Sequence, residues 1–423
     1  MEPVLTIQQV MDRNHITALR NFNLINFKKG TFYQVLGVDS TYNYYSATDG
    51  VLLPHGDTDY AEYLARYFVQ DSTSAIQMSL QRSFDSEYQP INHLLPVFKV
   101  SFDRPDGMDV YVETGQSRMG TFNNNTRKAF LSLFEEFHTW QFLARWGGDT
   151  FRNVVLLIIT GIMLFALISG LTVYGLMWKK FKTIAQNRKA KGAEDKRFVH
   201  RFHRQIGLIV SFVMFTFVIS GAFHLAVKLH NSGPVKADYG QVIKREQLGI
   251  SNLTLPLADS LIHKVGLVSF GGNTYYQVTD DQKEIVYFNT ITGKVQINAD
   301  KDYARFLSTY YRPQPRREIY YDRVEAAEVK QFNNDYGFIN KRLPVERIRY
   351  PNGDSWYIET TTSKLATKVT DIDRIEGLSF IFLHKYFGMT WAGKNIRDIV
   401  SMLAALGVLV VSLFGFASFI NNK

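Results

Sequence analysis

The chain has 423 residues, and 48 Lys/Arg against 39 Asp/Glu leave a formal charge of +9. It contains no cysteine, which excludes disulfides, iron–sulfur clusters, thiolate zinc sites and covalently attached c-type haem. Any redox centre must be held by histidine, carboxylate or non-covalent packing, and the missing thiols leave the redox compartment open.

Residues 1–126 read as a small α+β domain whose first stretch, Met1–Asn14, is polar and carries neither a signal peptide nor a span. Residues 127–178 join an amphipathic stretch, Arg127–Leu143, to a first span from about Asn153 to Trp178. Residues 179–204 hold ten Lys/Arg against only Glu194 and Asp195, nearly the whole charge surplus. A nucleic-acid surface would spread such charge over a folded face with aromatic interleaving. Between two apolar runs it marks a cytoplasmic loop under the positive-inside rule, and no nucleic-acid partner is expected. Residues 205–228 form the second span, 229–373 a second domain, and 374–423 a second interfacial stretch, Ile375–Met389, with a third span from about Ile399 to Ile420. Crossing a ~30 Å hydrocarbon core takes about 20 helical residues, so all three runs are long enough to meet the lipid bilayer.

With the basic loop in the cytoplasm, the first span runs inward, the second returns and the third runs inward again. Residues 1 to about 150 and about 229 to 397 are then external. In a Gram-negative bacterium this places the chain in the inner membrane with two large periplasmic domains.

The two external regions read as copies of one another. Thr31, Tyr33, Gln34, Val35, Tyr44, Gly50, Asp59, Tyr60, Ala61 and Leu64 recur without a gap 243 residues later, from Thr274 to Leu307. Leu95-Pro96-Val97 recurs as Leu343-Pro344-Val345, Tyr111, Glu113 and Thr114 as Tyr357, Glu359 and Thr360, and His138 aligns with His384. In the second copy, Thr274–Val278, Ile285–Asn289 and Lys294–Ile297 read as strands with a turn at Thr292-Gly293. Tyr303–Tyr311 has helical spacing. Strands near Ile348–Tyr350 and Ser355–Glu359 are divided by the hairpin signal Pro351-Asn352-Gly353-Asp354. The repeat also predicts a span before the first copy, matching Gln205–Val227 before the second. The expected fold is therefore a membrane α-helical bundle, three spans here and four in the intact protein, with two duplicated external α+β domains.

Of ten histidines, His15, His55, His93 and His263 fall at unrepeated positions and read as surface residues, while the other six lie at membrane ends. His138 and His384 sit in the two amphipathic stretches, 14 and 13 residues before Arg152 and Arg397, with glycine breaks at Gly147-Gly148 and Gly393. His224 is in the last turns of the second span. His203 precedes it by 21 residues, roughly 31 Å along a helix, so the two suit stations near opposite bilayer faces. Imidazole near the apolar zone is costly unless paired or ligating, and a b-type haem takes two axial imidazoles from facing helices. His200 and His230 read as interfacial anchors. His203 reads equally as a ligand or as a packing residue of the basic loop. No Gly-x-Gly-x-x-Gly, Walker or His-Glu-x-x-His run suggests a nucleotide site or a hydrolase.

Phe137-His138 through Ser169-Gly170-Leu171, His203-Arg204-Gln205-Ile206-Gly207 leading to Ser220-Gly221, and Leu383-His384 leading to Arg397 resemble the PepSY-associated transmembrane family. Tyr287-Phe288-Asn289-Thr290 and Thr292-Gly293-Lys294-Val295 look like its PepSY domains. The resemblance implies haem b, one or two, with His138, His224 and His384 as outer ligands and His203 as an inner one. Arg152 and Arg397 would pair with haem propionates, or else cap helices and meet lipid headgroups. It also implies transmembrane electron transfer from a cytoplasmic or quinone donor to a periplasmic ferric-siderophore, as in inner-membrane ferric-siderophore reductases. The alternatives are a non-enzymatic PepSY protein that binds a periplasmic partner, as sensor or protease inhibitor, and a haem subunit that passes electrons to a separate periplasmic partner.

Overall fold

The computed structural model describes residues 4–28, 30–190, 198–230, 239–249, 262–280, 282–312 and 324–420, with some side chains at the margins of these ranges left undescribed. The chain divides into two compact units, Met1–His138 with Pro234–Thr370 and Thr139–Gly233 with Asp371–Lys423.

The first unit contains two halves, each with a four-stranded antiparallel sheet, a helix and a second four-stranded antiparallel sheet in that order. Helix α1 (Ile7–Arg13) is fixed by a capping box in which Thr6 and Gln9 satisfy each other's backbone N–H groups. Strand β1 (Ala18–Leu19) follows, then an antiparallel sheet of β2 (Asn21–Phe27), β3 (Gly30–Leu36), β4 (Tyr42–Ser46) and β5 (Leu52–Leu53). Helix α2 (Gly56–Val69) leads to a second antiparallel sheet of β6 (Ile76–Gln81), β7 (Val97–Phe102), β8 (Asp109–Glu113) and β9 (Arg118–Asn123), and helix α3 (Asn125–Phe137) ends the half. In the other half, β10 (Ile243–Lys244) precedes β11 (Ile262–Phe270), β12 (Asn273–Asp280), β13 (Ile285–Asn289) and β14 (Val295–Gln296). Helix α7 (Ala299–Tyr310) then precedes β15 (Glu325–Val329), β16 (Val345–Arg349), β17 (Ser355–Glu359) and β18 (Lys364–Val369). The expected hairpin at Pro351–Asp354 closes the β16–β17 pair, with Arg349 opposite Ser355.

Each half buries a helix on its sheets through small and aromatic residues at helical spacing. Helix α2 buries Tyr60, Ala61, Leu64 and Ala65, and α7 buries Tyr303, Ala304, Leu307 and Ser308. Buried tyrosines must find partners for their hydroxyls, and the two halves solve this alike. Gln34 Nε2 donates to Tyr44 Oη at 2.6 Å, and Tyr44 donates to Asp57 at 2.7 Å. Gln277, Tyr287 and Asp300 form the same chain at 2.6 and 2.6 Å. Tyr88 stacks on Tyr111 and Tyr336 on Tyr357, each at 4.5 Å between centroids. The peptide bonds Leu95-Pro96 and Leu343-Pro344 are both cis.

The halves share one apolar core. Val10, Met11, Phe22 and Val35 pack with Leu267, Tyr276 and Val278, β1 pairs antiparallel with β10, and Asn21 Oδ1 accepts from the Leu267 N–H at 2.7 Å. A second junction is ionic. Glu359 is 1% exposed. It accepts from Arg342 at 2.6 Å and from the Arg118 guanidinium of the other half, while Thr362 donates a further bond. Lys341 Nζ reaches Asn92 Oδ1 at 2.6 Å, and Arg342 reaches the His93 carbonyl at 3.3 Å. Burial alone would raise the Glu359 pKa. Arg118 and Arg342 outweigh it and hold the carboxyl at about 2.

The second unit holds α4 (Gln141–Leu176), α5 (Trp178–Ala190), α6 (Phe198–His230), α8 (Asp371–Ser379) and α9 (Lys394–Ile420). Three of these are long and apolar enough to cross a membrane, with windows of mean hydropathy 2.8 in Gln141–Leu176, 2.3 in Gln205–His230 and 2.5 in Lys394–Ala417. None of the α4 window is buried by protein, which leaves that face for lipid. Where α6 and α9 cross, Gly207 faces Val411 and Gly407 faces Val210. A Cβ on Gly407 would stand 3.1 Å from the valine methyl, so small residues set the helix approach here. The basic segment 191–197 lies outside the described residues.

The depressed Glu359 pKa stabilises the fold above the unfolded-state pKa of about 4.5, and that contribution is lost as pH falls from there toward 2. Denaturation followed by fluorescence of the buried Trp356 should therefore show stability falling across this window. Glu359→Gln should flatten the dependence and cost about 3–5 kcal/mol at neutral pH, because Arg342 is left buried without its carboxylate while Arg118 keeps only Glu113.

A histidine cluster in the membrane unit

Helix α6 presents Phe217, Ser220 and His224 at spacings of three and four, which places them on one face. The segment packed against it presents Glu376, Phe380 and His384 at spacings of four. The last two bracket a π-helical turn, Phe380–His384, closed by the Lys385 N–H on the Phe380 carbonyl at 3.1 Å. Single π turns recur at functional sites. The two faces run antiparallel. His224 Nδ1 meets Glu376 Oε1 at 2.5 Å, and His384 Nδ1 meets Ser220 Oγ at 3.2 Å. Phe380 is shared, with its ring 5.6 Å from His224 and 4.8 Å from His384. Phe217 covers His384 at 4.8 Å and also contacts Tyr386.

Two of the sequence-derived ligand residues, His224 and His384, are thus brought into one cluster. A carboxylate on Nδ1 fixes the His224 ring with Nδ1 protonated, and Nε2 is then the nitrogen that ligation would use. Ser220 is 1% exposed and holds the His384 ring from the other side of the pair. The Tyr386 hydroxyl is buried with no hydrogen-bond partner among the described residues. Two anchored imidazoles, aromatic walls and an orphan hydroxyl fit a large planar group with polar edges. Among the described residues, no three His, Asp or Glu side chains are grouped to hold a metal ion unaided, so direct multi-carboxylate coordination is not what this cluster offers.

His138 belongs to the first unit. It caps the C-terminus of α3, exposed, with its ring on Phe134 at 4.6 Å. The backbone of His203 lies in α6, which runs unbroken to His224, so their separation of about 31 Å along the axis stands, but the side chains of His200 and His203 lie outside the described residues. Arg152 is engaged by Gln141, by Asn153 at 3.3 Å and by Asp149 at 3.1 Å, and Arg397 by Asp398 at 3.2 Å. Both arginines therefore have protein partners at their helix starts. The four histidines read as surface residues, His15, His55, His93 and His263, are exposed.

A backbone pattern follows both His138 and His384. Two residues on, Trp140 and Tyr386 take left-handed conformations at φ 52 and 51. Gly148 and Gly393 then turn the chain into the span at φ 80 and 82, with ψ 173 and 161. That region is essentially reserved for glycine, so the glycine breaks of the sequence are backbone requirements. Sequence reasoning missed Glu376, Phe380 and Tyr386. The Glu376–Phe380–His384 spacing was the available signal for the first two.

The family described as PepSY-associated TM region matches residues 55–421. No curated protein and no solved structure matches the chain.

With Glu376 as acceptor, 15N NMR of metal-free protein should show His224 as the Nδ1–H tautomer. Glu376→Leu should shift it toward the Nε2–H form or a mixture of the two, while leaving the backbone helix content unchanged.

Proposed function

This chain belongs to the PepSY-associated TM-region family, and from that membership and the His224–His384 cluster we propose that it is a haem b-containing electron-transfer protein of the bacterial inner membrane that reduces periplasmic ferric-siderophore. The observation that carries the reading is the pair of anchored imidazoles sharing Phe380. Isolated polar rings at membrane depth need a partner or a ligand, and both rings here are oriented through Nδ1, as metal-binding histidines are. When bound, haem b supplies a one-electron carrier, so each turnover delivers one electron and converts Fe(III) in the chelate to Fe(II). His224 and His384 would hold the iron, Glu376 and Ser220 would orient them, and Phe217 and Phe380 would exclude water from the ring faces. The resemblance keeps His138 and His203 as further ligands. Given their protein partners, Arg152 and Arg397 serve this reading first as helix-start residues and second as propionate contacts.

The basic loop 179–204 supports a cytoplasmic position for that end of the spans under the positive-inside rule and a periplasmic position for the first unit. The donor would then be cytoplasmic or a quinone. The repeated sheet–helix–sheet order and the matched tyrosine networks support reading the two halves of the first unit as duplicated PepSY domains.

The test is a reduced-minus-oxidised optical spectrum of the detergent-purified protein, expressed with haem available and with haem quantified by pyridine extraction. Sharp b-type bands and at least one haem per chain are expected. His224→Ala and His384→Ala should each lower haem content or shift the bands. A colourless protein would sink the proposal and leave a partner-binding PepSY protein as the better reading.

A further inference from the structure

Between its two halves the first unit holds a partly open cavity of about 150 Å³, room for several waters or a small ligand. Arg20, Asn23 and Glu113 from one half and Gln241, Thr362 and Lys364 from the other stand on its walls. Three buried atoms there have no hydrogen-bond partner among the described residues: Arg20 Nε, Asn23 Oδ1 and Glu113 Oε2. Asn23 is 7% exposed and Glu113 6%. Asn23 cannot turn away to solve the problem, because its Nδ2 donates to Gln34 at 2.7 Å and to the Gly115 carbonyl at 3.0 Å. Arg118 offsets the Glu113 charge from 3.5 Å without closing a hydrogen bond; buried polar groups left without one are costly, and three on one cavity call for a polar occupant.

Charge selects the class of that occupant. Arg20 and Lys364 on the walls attract an anion. Glu113 does not invite a cation in return, because Arg118 Nε already stands 3.5 Å from its Oε2. The two acceptors without a hydrogen bond, Asn23 Oδ1 and Glu113 Oε2, need a donor, and the arginine beside them requires that donor to be neutral. A hydroxyl meets both conditions where an ammonium fails. We propose that this cavity binds a small hydroxycarboxylate, with its carboxylate at Arg20 and Lys364 and its hydroxyl donating to Asn23 or Glu113. The inference rests on the first unit alone and stands or falls apart from the electron-transfer reading.

Calorimetric titration of the full-length protein in detergent decides it, with citrate as the probe and tricarballylate, which carries the same carboxylates without the hydroxyl, as the control. Saturable binding of one citrate per chain is expected, with tricarballylate at least tenfold weaker. Arg20→Gln should weaken citrate binding tenfold or more. The half-buried Lys364→Gln should weaken it severalfold, and it decides the matter if the Arg20 variant fails to fold as judged by Trp356 fluorescence. No citrate heat, equal affinity for tricarballylate, citrate affinity indifferent to Lys364→Gln, or saturable binding of inorganic phosphate in place of citrate would each overturn the proposal.

Discussion

The first unit closes on a carboxylate that cannot be left alone. Glu359 lies on β17, and its charge is balanced by Arg342 from its own half and by Arg118 from the other. An ionised group this deep is tolerable only with close, geometrically satisfied partners. The requirement therefore reaches across more than two hundred residues of sequence and sets how β9 meets the turn before β16. That turn, through Lys341 and Arg342, then rests on Asn92 and His93. The apolar core shared by α1, β2, β3, β11 and β12 supplies adhesion between the halves, but adhesion of this kind is tolerant of small slips. The ion triad is not, so it fixes the alignment that gives the cavity walls their shape.

The membrane unit follows different physics. Apolar residues give no specificity among helices when the surroundings are equally apolar, so alignment must come from small residues and polar pairs. Gly207 and Gly407 set the α6–α9 approach, and Ser220 and Glu376 set the fit of α6 against the segment 371–386. The same two polar contacts orient both imidazoles. Helix packing and the orientation of the two imidazoles are therefore one problem here, solved by one set of residues.

The spans were legible because a membrane imposes a length and a polarity that single residues cannot hide. Their starts were less so. The first long helix begins at Gln141 rather than near Asn153, because helical backbone resumes on both sides of the kink at Gly148. The Pro351–Asp354 hairpin and the α7 stretch were visible through local turn chemistry and spacing. His224 and His384 stood out by position. Their partners did not, because Glu376 meets His224 across 152 residues, and no local pattern encodes such a pairing. The π turn under His384 is likewise a product of tertiary packing. Glu113 and Glu359 were noticed as a recurring pair, but only the folded chain shows one nearly balanced by two arginines and the other left with an unfilled oxygen on a cavity wall.

The interleaved order of the two units has a consequence for biogenesis. The first half of the first unit leaves the ribosome with Phe22, Tyr33 and Val35 lacking the Tyr276, Val278 and Leu267 that complete their core. Those partners lie about 140 residues beyond the end of that half at Phe137, past two membrane-spanning helices. At 5–20 residues per second, the wait is roughly 7–30 s. For that interval an apolar face stands open beside the insertion machinery, so successful assembly depends on what shelters the nascent half as much as on the stability of the finished one.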